Sequence, residues 1–506
     1  MPSLKKLVGQ TAIYGLSSIV GRFLNYLLVP LYTYKITAAS GGYGVVTNVY
    51  AYTALLLVIL TFGMETTFFY FANREEVDAK KAFATAGNAV GIVSFAFWLI
   101  CMLLGAPIAG VLGYGDHPEY LRMMATVVAL DAFQAILFAQ LRQQNRAVKF
   151  AALKLSFIAL NIALNLFIFL AAPSLAQNFP ALMSWYNPAF QVGYIFAINL
   201  ICTALVTFGF IPEMKNLRFG IDKSLLKEML LYTWPLLILG LIGILNQVAD
   251  KICYRFIVPG EAGEVQLGIY GACVKIAMLI AIFTQAFRYA YEPFVFGGQK
   301  DKNNRESQAT VMNYFVMFTL FAFLLVVLYM DIFKFIIHES YWEGLRAVPI
   351  VMMAEIFMGI YFNLSFWYKL NKETWWGAIF SAIGVTVLLL INFLLVPKFG
   401  YMACAWGGFA GYGVCMILSY IVGQKRNPVP YDLKLILCYF LLTLGIYFVS
   451  LLFERMMILD YIPQNIWLKM GFNTLLMCVY AGVLIYMERK LVKQVIGMVK
   501  SKLLKR

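Results

Sequence analysis

Long apolar stretches recur along the chain, each closed by a short polar connector. They predict helices over 8–34, 44–72, 82–112, 119–143, 150–172, 188–211, 228–257, 265–296, 310–337, 346–370, 374–396, 401–423, 432–453 and 466–487. About 20 apolar residues carry a helix across the roughly 30 Å hydrocarbon core. In lipid only helices and closed barrels satisfy their own backbone hydrogen bonds, and these stretches are too long for barrel strands. The pattern specifies an all-α polytopic membrane protein with about 14 transmembrane helices.

Most connectors are short, as between antiparallel neighbours in a bundle. Three places break the rhythm. The stretch IPEMKNLRFGIDKSLLKEML, from Ile211, reads as an amphipathic helix on the membrane surface. QKRNPVPYDLK follows the twelfth stretch, and the tail RKLVKQVIGMVKSKLLKR alternates basic and apolar residues, as suits an anionic leaflet. These breaks divide the chain into spans 1–6 (residues 1–211), a linker (212–227), spans 7–12 (228–423), and two further spans with a basic tail (424–506). The halves echo each other. GGYGVVTNVYAYTALL opens the second span and LGIYGACVKIAMLI the eighth, while Asn25 and Asn246 sit inside the first helix of each half. Repeats of this kind place a transporter's substrate site between the halves.

The chain has 506 residues, 62% hydrophobic and 13% charged, which leaves no segment for a sizeable soluble domain. Its net charge of +15 invites a nucleic-acid reading. The distribution excludes it: about 28 of the 40 Lys and Arg fall on one side of the predicted spans, a topology signal. They include Arg74, Lys80, Lys81, Arg142, Arg146, Lys149, Lys154, Lys223 and Lys227, whereas the connector 173–187 carries none. Both termini are then cytoplasmic. The eight cysteines are scattered, form no CxxC pair and read as small apolar residues. His117 and His338 lie apart, so no metal site is expected, and no P-loop, GxSxG or HExxH element occurs.

Charge inside the membrane costs at least about 2.5–3.5 kcal/mol on insertion scales, so each such residue marks a cavity or a partner. Asp331 and Lys334 can pair at i,i+3 near the end of a span, and Arg288 with Glu292 at i,i+4. Asp250 and Lys251 are adjacent, so they are expected on different helix faces. A cationic group remains: Arg22, Lys275 and Arg288, with Lys251 as an outer member. Such a lining would attract an anion, phosphate in particular. The competing account locks each cation to a carboxylate, Arg22 to Asp131 for example. Glu65, Asp131, Asp250 and Glu355 are the candidates for a coupling ion, Na+ or H+. Tyr14, Tyr26, Tyr50 and Tyr289 are positioned to stack on sugar rings, although belt and packing roles are commoner.

The N-terminal helix with Arg22 and LLVPLYT, followed by GGYGVVTNVYAY, resembles the polysaccharide biosynthesis flippase family. So does WPLLILGLIGILNQVADKICYRFIV with LGIYGACVKIAMLIAIFTQAFRYAYEPFVF. These are the O-antigen and capsule exporters of the multidrug/oligosaccharidyl-lipid/polysaccharide superfamily. The resemblance implies two six-helix lobes in a V around a central cavity, plus two C-terminal helices. It implies a non-enzymatic protein of the bacterial plasma membrane, without cofactor, that moves an isoprenyl-diphosphate-linked oligosaccharide to the outer leaflet. Its expected partners are that substrate, the lipid bilayer, and a polysaccharide polymerase or glycosyltransferases. The alternatives are a lipid II flippase, a multidrug cation antiporter of the same fold, and a membrane-embedded glycosyltransferase.

Overall fold

The computed structural model describes residues 26–215, 217, 220–297, 304–371 and 373–489. Among them, 13 helices are long and apolar enough to cross a membrane. In chain order the helices are α1 (Leu28–Lys35), α2 (Gly42–Thr61), α3 (Met64–Ala72), α4 (Ala79–Leu103), α5 (Gly105–Val111), α6 (Pro118–Gln143), α7 (Ala147–Leu166), α8 (Ala172–Asn178), α9 (Gln191–Gly209) and α10 (Ile211–Lys215). Then come α11 (Lys223–Ile257), α12 (Glu261–Gly297), α13 (Asn304–Leu328), α14 (Met330–Phe333), α15 (Val348–Leu364), α16 (Phe366–Leu370), α17 (Trp375–Phe399), α18 (Tyr401–Arg426), α19 (Leu433–Ile458) and α20 (Ile466–Met487).

Two differences from the sequence reading have local causes. Asp222 caps α11 by accepting from the Ser224 and Leu225 amides, so α11 starts at Lys223. The expected surface helix is reduced to the short α10 and the first turns of α11. These cap bonds, the Ser224 hydroxyl foremost, hold the Asp222 carboxyl below its ordinary range. At the other end of span nine, α13 stops at Leu328, and a short α14 and a 3₁₀ turn follow. There Lys334 pairs with Asp331 at 3.0 Å, as its spacing suggests, and Lys469 reaches the same carboxylate at 2.8 Å.

The chain forms two compact units: Met1–Pro293 with Ile336–Arg426, and Phe294–Phe335 with Asn427–Arg506. In the second, α13 packs on α19 and α20. Buried polar pairs stitch it: Ser450 donates to Asn473 at 2.8 Å, and Asn473 to the Leu328 carbonyl at 2.7 Å. The tail expected on the inner leaflet lies outside the described residues from 490 onward.

Span nine, α13, belongs to the other unit, and the first unit holds the first half of the repeat and most of the second half. Its first lobe, up to α9, has an aromatic and aliphatic core including Phe68, Phe83, Ile136, Leu141 and Phe210. Leu225 and Met229 of α11, the first helix of the second lobe, enter this same core. The α2–α3 span is broken at Phe62 and Gly63, both left-handed, with φ of 36° and 73°. Phe62 is strained there, since a side chain disfavours that region. Across the lobes, the Thr233 hydroxyl donates to the freed Phe62 carbonyl at 2.6 Å. On the same two helices the Tyr70 ring lies flat on that of Tyr232, with centroids 4.4 Å apart.

At the opposite end the two Gly-rich openings meet. A Cβ on Gly44 would overlap the Glu264 carbonyl, and one on Gly268 would lie 2.9 Å from the Gly44 nitrogen. Only residues without side chains let α2 and α12 touch backbone to backbone. Around this crossing Arg255 of α11 pairs with Glu264 at 2.6 Å and donates to the Gly113 carbonyl at 2.5 Å. Its guanidinium also covers the Tyr114 ring at 3.9 Å. Tyr114 donates to Asn48 at 2.6 Å, and Asn48 to the Lys251 carbonyl at 2.7 Å. The result is a polar seal between the lobes with both members of its ion pair largely buried.

Two outcomes are expected. Gly44→Val should lower the thermal midpoint in detergent, by the equivalent of about 1–3 kcal/mol for overpacking a tight contact. Gly445→Ala, which has nothing within 4 Å, should not. Glu264→Ala should cost about 3–5 kcal/mol because it strands the buried Arg255 charge. Arg255→Met combined with Glu264→Leu should recover part of that loss in the same melting measurement, and equal loss in both proteins would refute the account.

Candidate functional site

The second lobe gathers four charges from three helices. Asp250 and Lys251 come from α11, Lys275 from α12 and Glu355 from α15. The Lys251 ammonium lies 3.0 Å from Asp250 Oδ1 and 3.1 Å from Oδ2. It also donates to the Gln247 carbonyl at 2.9 Å. The expectation that the adjacent pair faces apart is therefore overturned. The four-carbon stem of lysine is long enough to fold back one turn, and a bare charge in hydrocarbon makes that fold favourable. Lys251 is accordingly held by a carboxylate and is not an open cation.

Tyr270 donates to Asp250 Oδ2 at 2.9 Å. Lys251 is the charge acting on both Glu355 and Lys275. Among the described residues, Glu355 Oε2 is buried without a hydrogen-bond partner. Lys275 lies 14 residues into α12, about 21 Å along the helix. It makes no hydrogen bond or ion pair with any described residue. Beside this group, Asn246 donates to the Ser381 carbonyl at 3.0 Å, and Tyr412 donates to the Asn246 carbonyl at 3.3 Å.

Arg288 belongs to a different group. Its guanidinium lies 4.5 Å from the centroid of Phe362, and the Lys369 ammonium lies 4.4 Å from the same centroid. Lys275 and Arg288 thus stand at separate places on α12, as their angular separation on an ideal helix requires. The Glu292 side chain lies outside the described residues.

In the first lobe Glu65 pairs with Arg142, which also covers the Phe69 ring at 4.8 Å. Glu65 is therefore spoken for. Asp131 accepts from Thr203 at 3.4 Å and is acted on by Lys154. Lys154 is the residue that the sequence reading missed, having placed it with the basic connector. Left-handed Asn145, φ 57°, ends the turn after α6 sharply, so α7 begins at Ala147. That sinks Lys154 about 10 Å along the helix from its start. Its ammonium sits 4.1 Å from the Phe138 centroid, and its side chain remains accessible. The signal was the QN-R step before AVKF, since Asn is the residue after glycine that best tolerates a left-handed cap.

Arg22 and its expected pairing with Asp131 lie outside the described residues, as do Tyr14 and the Tyr289 side chain. Tyr26 has a buried hydroxyl with no partner among the described residues, and Tyr50 accepts from Asn199 at 2.9 Å. Tyr32 donates to Asn165 at 2.9 Å, adding to a polar first-lobe lining. Among the described residues no three His, Cys, Asp or Glu side chains are grouped to hold a metal. Both oxygens of Asp250 already face the Lys251 ammonium.

No curated protein sequence matches the chain. Solved structures match its fold. An inward closed conformation of the lipid II flippase MurJ has a TM-score of 0.69 at 15% identity, covering 96% of this chain and 100% of that one. An inward-facing multidrug resistance MATE transporter of the MOP superfamily scores 0.59 at 13% identity, over 82% and 94%. A MATE protein in the straight conformation scores 0.54 at 14% identity, over 83% and 95%. The fold is that of this superfamily. The model of the family described as polysaccharide biosynthesis protein matches residues 7–290, more than half of the sequence, and the chain belongs to that family.

Proposed function

We propose that the protein moves an isoprenyl-diphosphate-linked oligosaccharide from the inner to the outer leaflet of a bacterial plasma membrane, for O-antigen or capsule synthesis. The observation that carries this is Lys275, an ammonium deep in α12 with no ion pair among the described residues. Lys154 supports it from the first lobe. A diphosphate supplies the missing charge partner. The sugars need such a route, because each unsatisfied polar group in hydrocarbon costs roughly 2–7 kcal/mol.

A MATE-type cation antiporter needs open carboxylates, and Glu65 and Asp250 are both engaged by cations here. A lipid II flippase is the second reading. It is favoured by the MurJ likeness and shares the diphosphate, and the polysaccharide family match weighs against it. We read the chain as a transporter and not a glycosyltransferase, working beside the polymerase and transferases that use its product. Both termini are placed in the cytoplasm by the Lys and Arg distribution. Asp131 and Glu355 are the carboxylates left to carry a coupling proton. A membrane potential contributes about 2.3 kcal/mol per charge per 100 mV, so it aids outward movement of the anionic headgroup.

Proteoliposomes carrying a fluorescent lipid-linked oligosaccharide test the reading. Lys275→Ala should slow flipping about 10- to 100-fold, the worth of one charge-assisted hydrogen bond, while Lys275→Arg retains most of the rate. Unchanged flipping in Lys275→Ala at normal protein level would sink the role. Lipid II flipped faster than the oligosaccharide would favour the second reading.

A further inference from the structure

Asp250 is a carboxylate inside a membrane span, the natural place for a coupling cation to bind. Its surroundings are already those of an occupied cation site. The Lys251 nitrogen lies 3.0 and 3.1 Å from its two oxygens and 2.9 Å from the Gln247 carbonyl. The Tyr270 ring centroid is 5.7 Å from the same nitrogen, and its hydroxyl fixes Oδ2 at 2.9 Å. Three oxygens and an aromatic ring hold a monovalent cation in just this way.

Charge counting points the same way. Asp250 contributes one negative charge and Lys251 one positive. The pair is neutral as it stands, and an added metal ion beside it would leave an uncompensated charge in hydrocarbon. A tethered ammonium also competes on unequal terms, because attachment to the neighbouring residue gives it a very high effective concentration.

We propose that the Lys251 ammonium is a built-in cation that fills the oxygen cradle of Asp250 and Gln247, so that the second lobe takes no free sodium ion there. The inference concerns the coupling site of the transporter proposed above, but its test reads binding and not transport. A protein that failed to flip any lipid would still answer it. The Asp250 site is then indifferent to sodium by construction, and any sodium effect must come from elsewhere in the chain.

Thermal unfolding of the full chain in lipid nanodiscs tests this, with NaCl exchanged for N-methylglucamine chloride at constant ionic strength and pH. The wild-type midpoint should be the same in both salts. Lys251→Ala should unfold earlier in N-methylglucamine and regain stability in a saturable way as sodium rises. Asp250→Asn combined with Lys251→Ala should lose that response. Lys251→Gln, which keeps most of the stem, takes the place of Lys251→Ala if the latter does not accumulate. A saturable sodium effect on the wild type that Asp250→Asn removes would overturn the proposal. So would a folded Lys251→Ala or Lys251→Gln protein indifferent to sodium.

Discussion

A charge inside hydrocarbon is tolerated only beside its opposite or beside water. That constraint organises both lobes of the first unit. Glu65 faces Arg142, Asp250 faces Lys251, and Arg255 faces Glu264. The Glu65–Arg142 and Arg255–Glu264 pairs each fix two helices against each other, so neutralisation also sets the packing. The exceptions gain meaning from the rule. Lys275 has no such partner among the described residues, and Glu355 keeps one buried oxygen unsatisfied. In the function proposed above, those two are the groups left to meet a substrate or a proton, together with Lys154 and Asp131 of the first lobe.

The seal follows from the same economy of contact. Glycines allow α2 and α12 to approach, and the Arg255–Glu264 pair locks the approach from the side. The backbone crossing is stiff, whereas the ion pair is the part that water can dissolve. The Asn48 amide links the seal to the Lys251 backbone. The charge group and the seal therefore meet at one residue, the seal at the Lys251 carbonyl and the charge group at its ammonium.

The spans were legible in the sequence because length and apolarity alone decide them in lipid. Helix limits from α2 to α20 follow the sequence pattern to within a few residues at most positions. The partners of charges were not legible. Adjacent Asp250 and Lys251 argued for different faces, and a flexible stem bridged them. Lys154 was hidden by three residues of uncertainty in where α7 begins. The Gly-rich echo between the halves was readable as a repeat, but its meaning, two openings pressed together, exists only in three dimensions. Arg22 stood first among the candidates by sequence, and the described residues begin after it.

The Thr233 bond to the Phe62 carbonyl joins residues 171 apart in the chain. A ribosome adding roughly 5–20 residues per second takes about 10–30 s to deliver the second after the first. During that interval the first lobe sits in the bilayer with an open carbonyl at a strained break, and its core awaits Leu225 and Met229. The nascent first half thus keeps a strained backbone break uncapped and part of its core uncovered until α11 emerges.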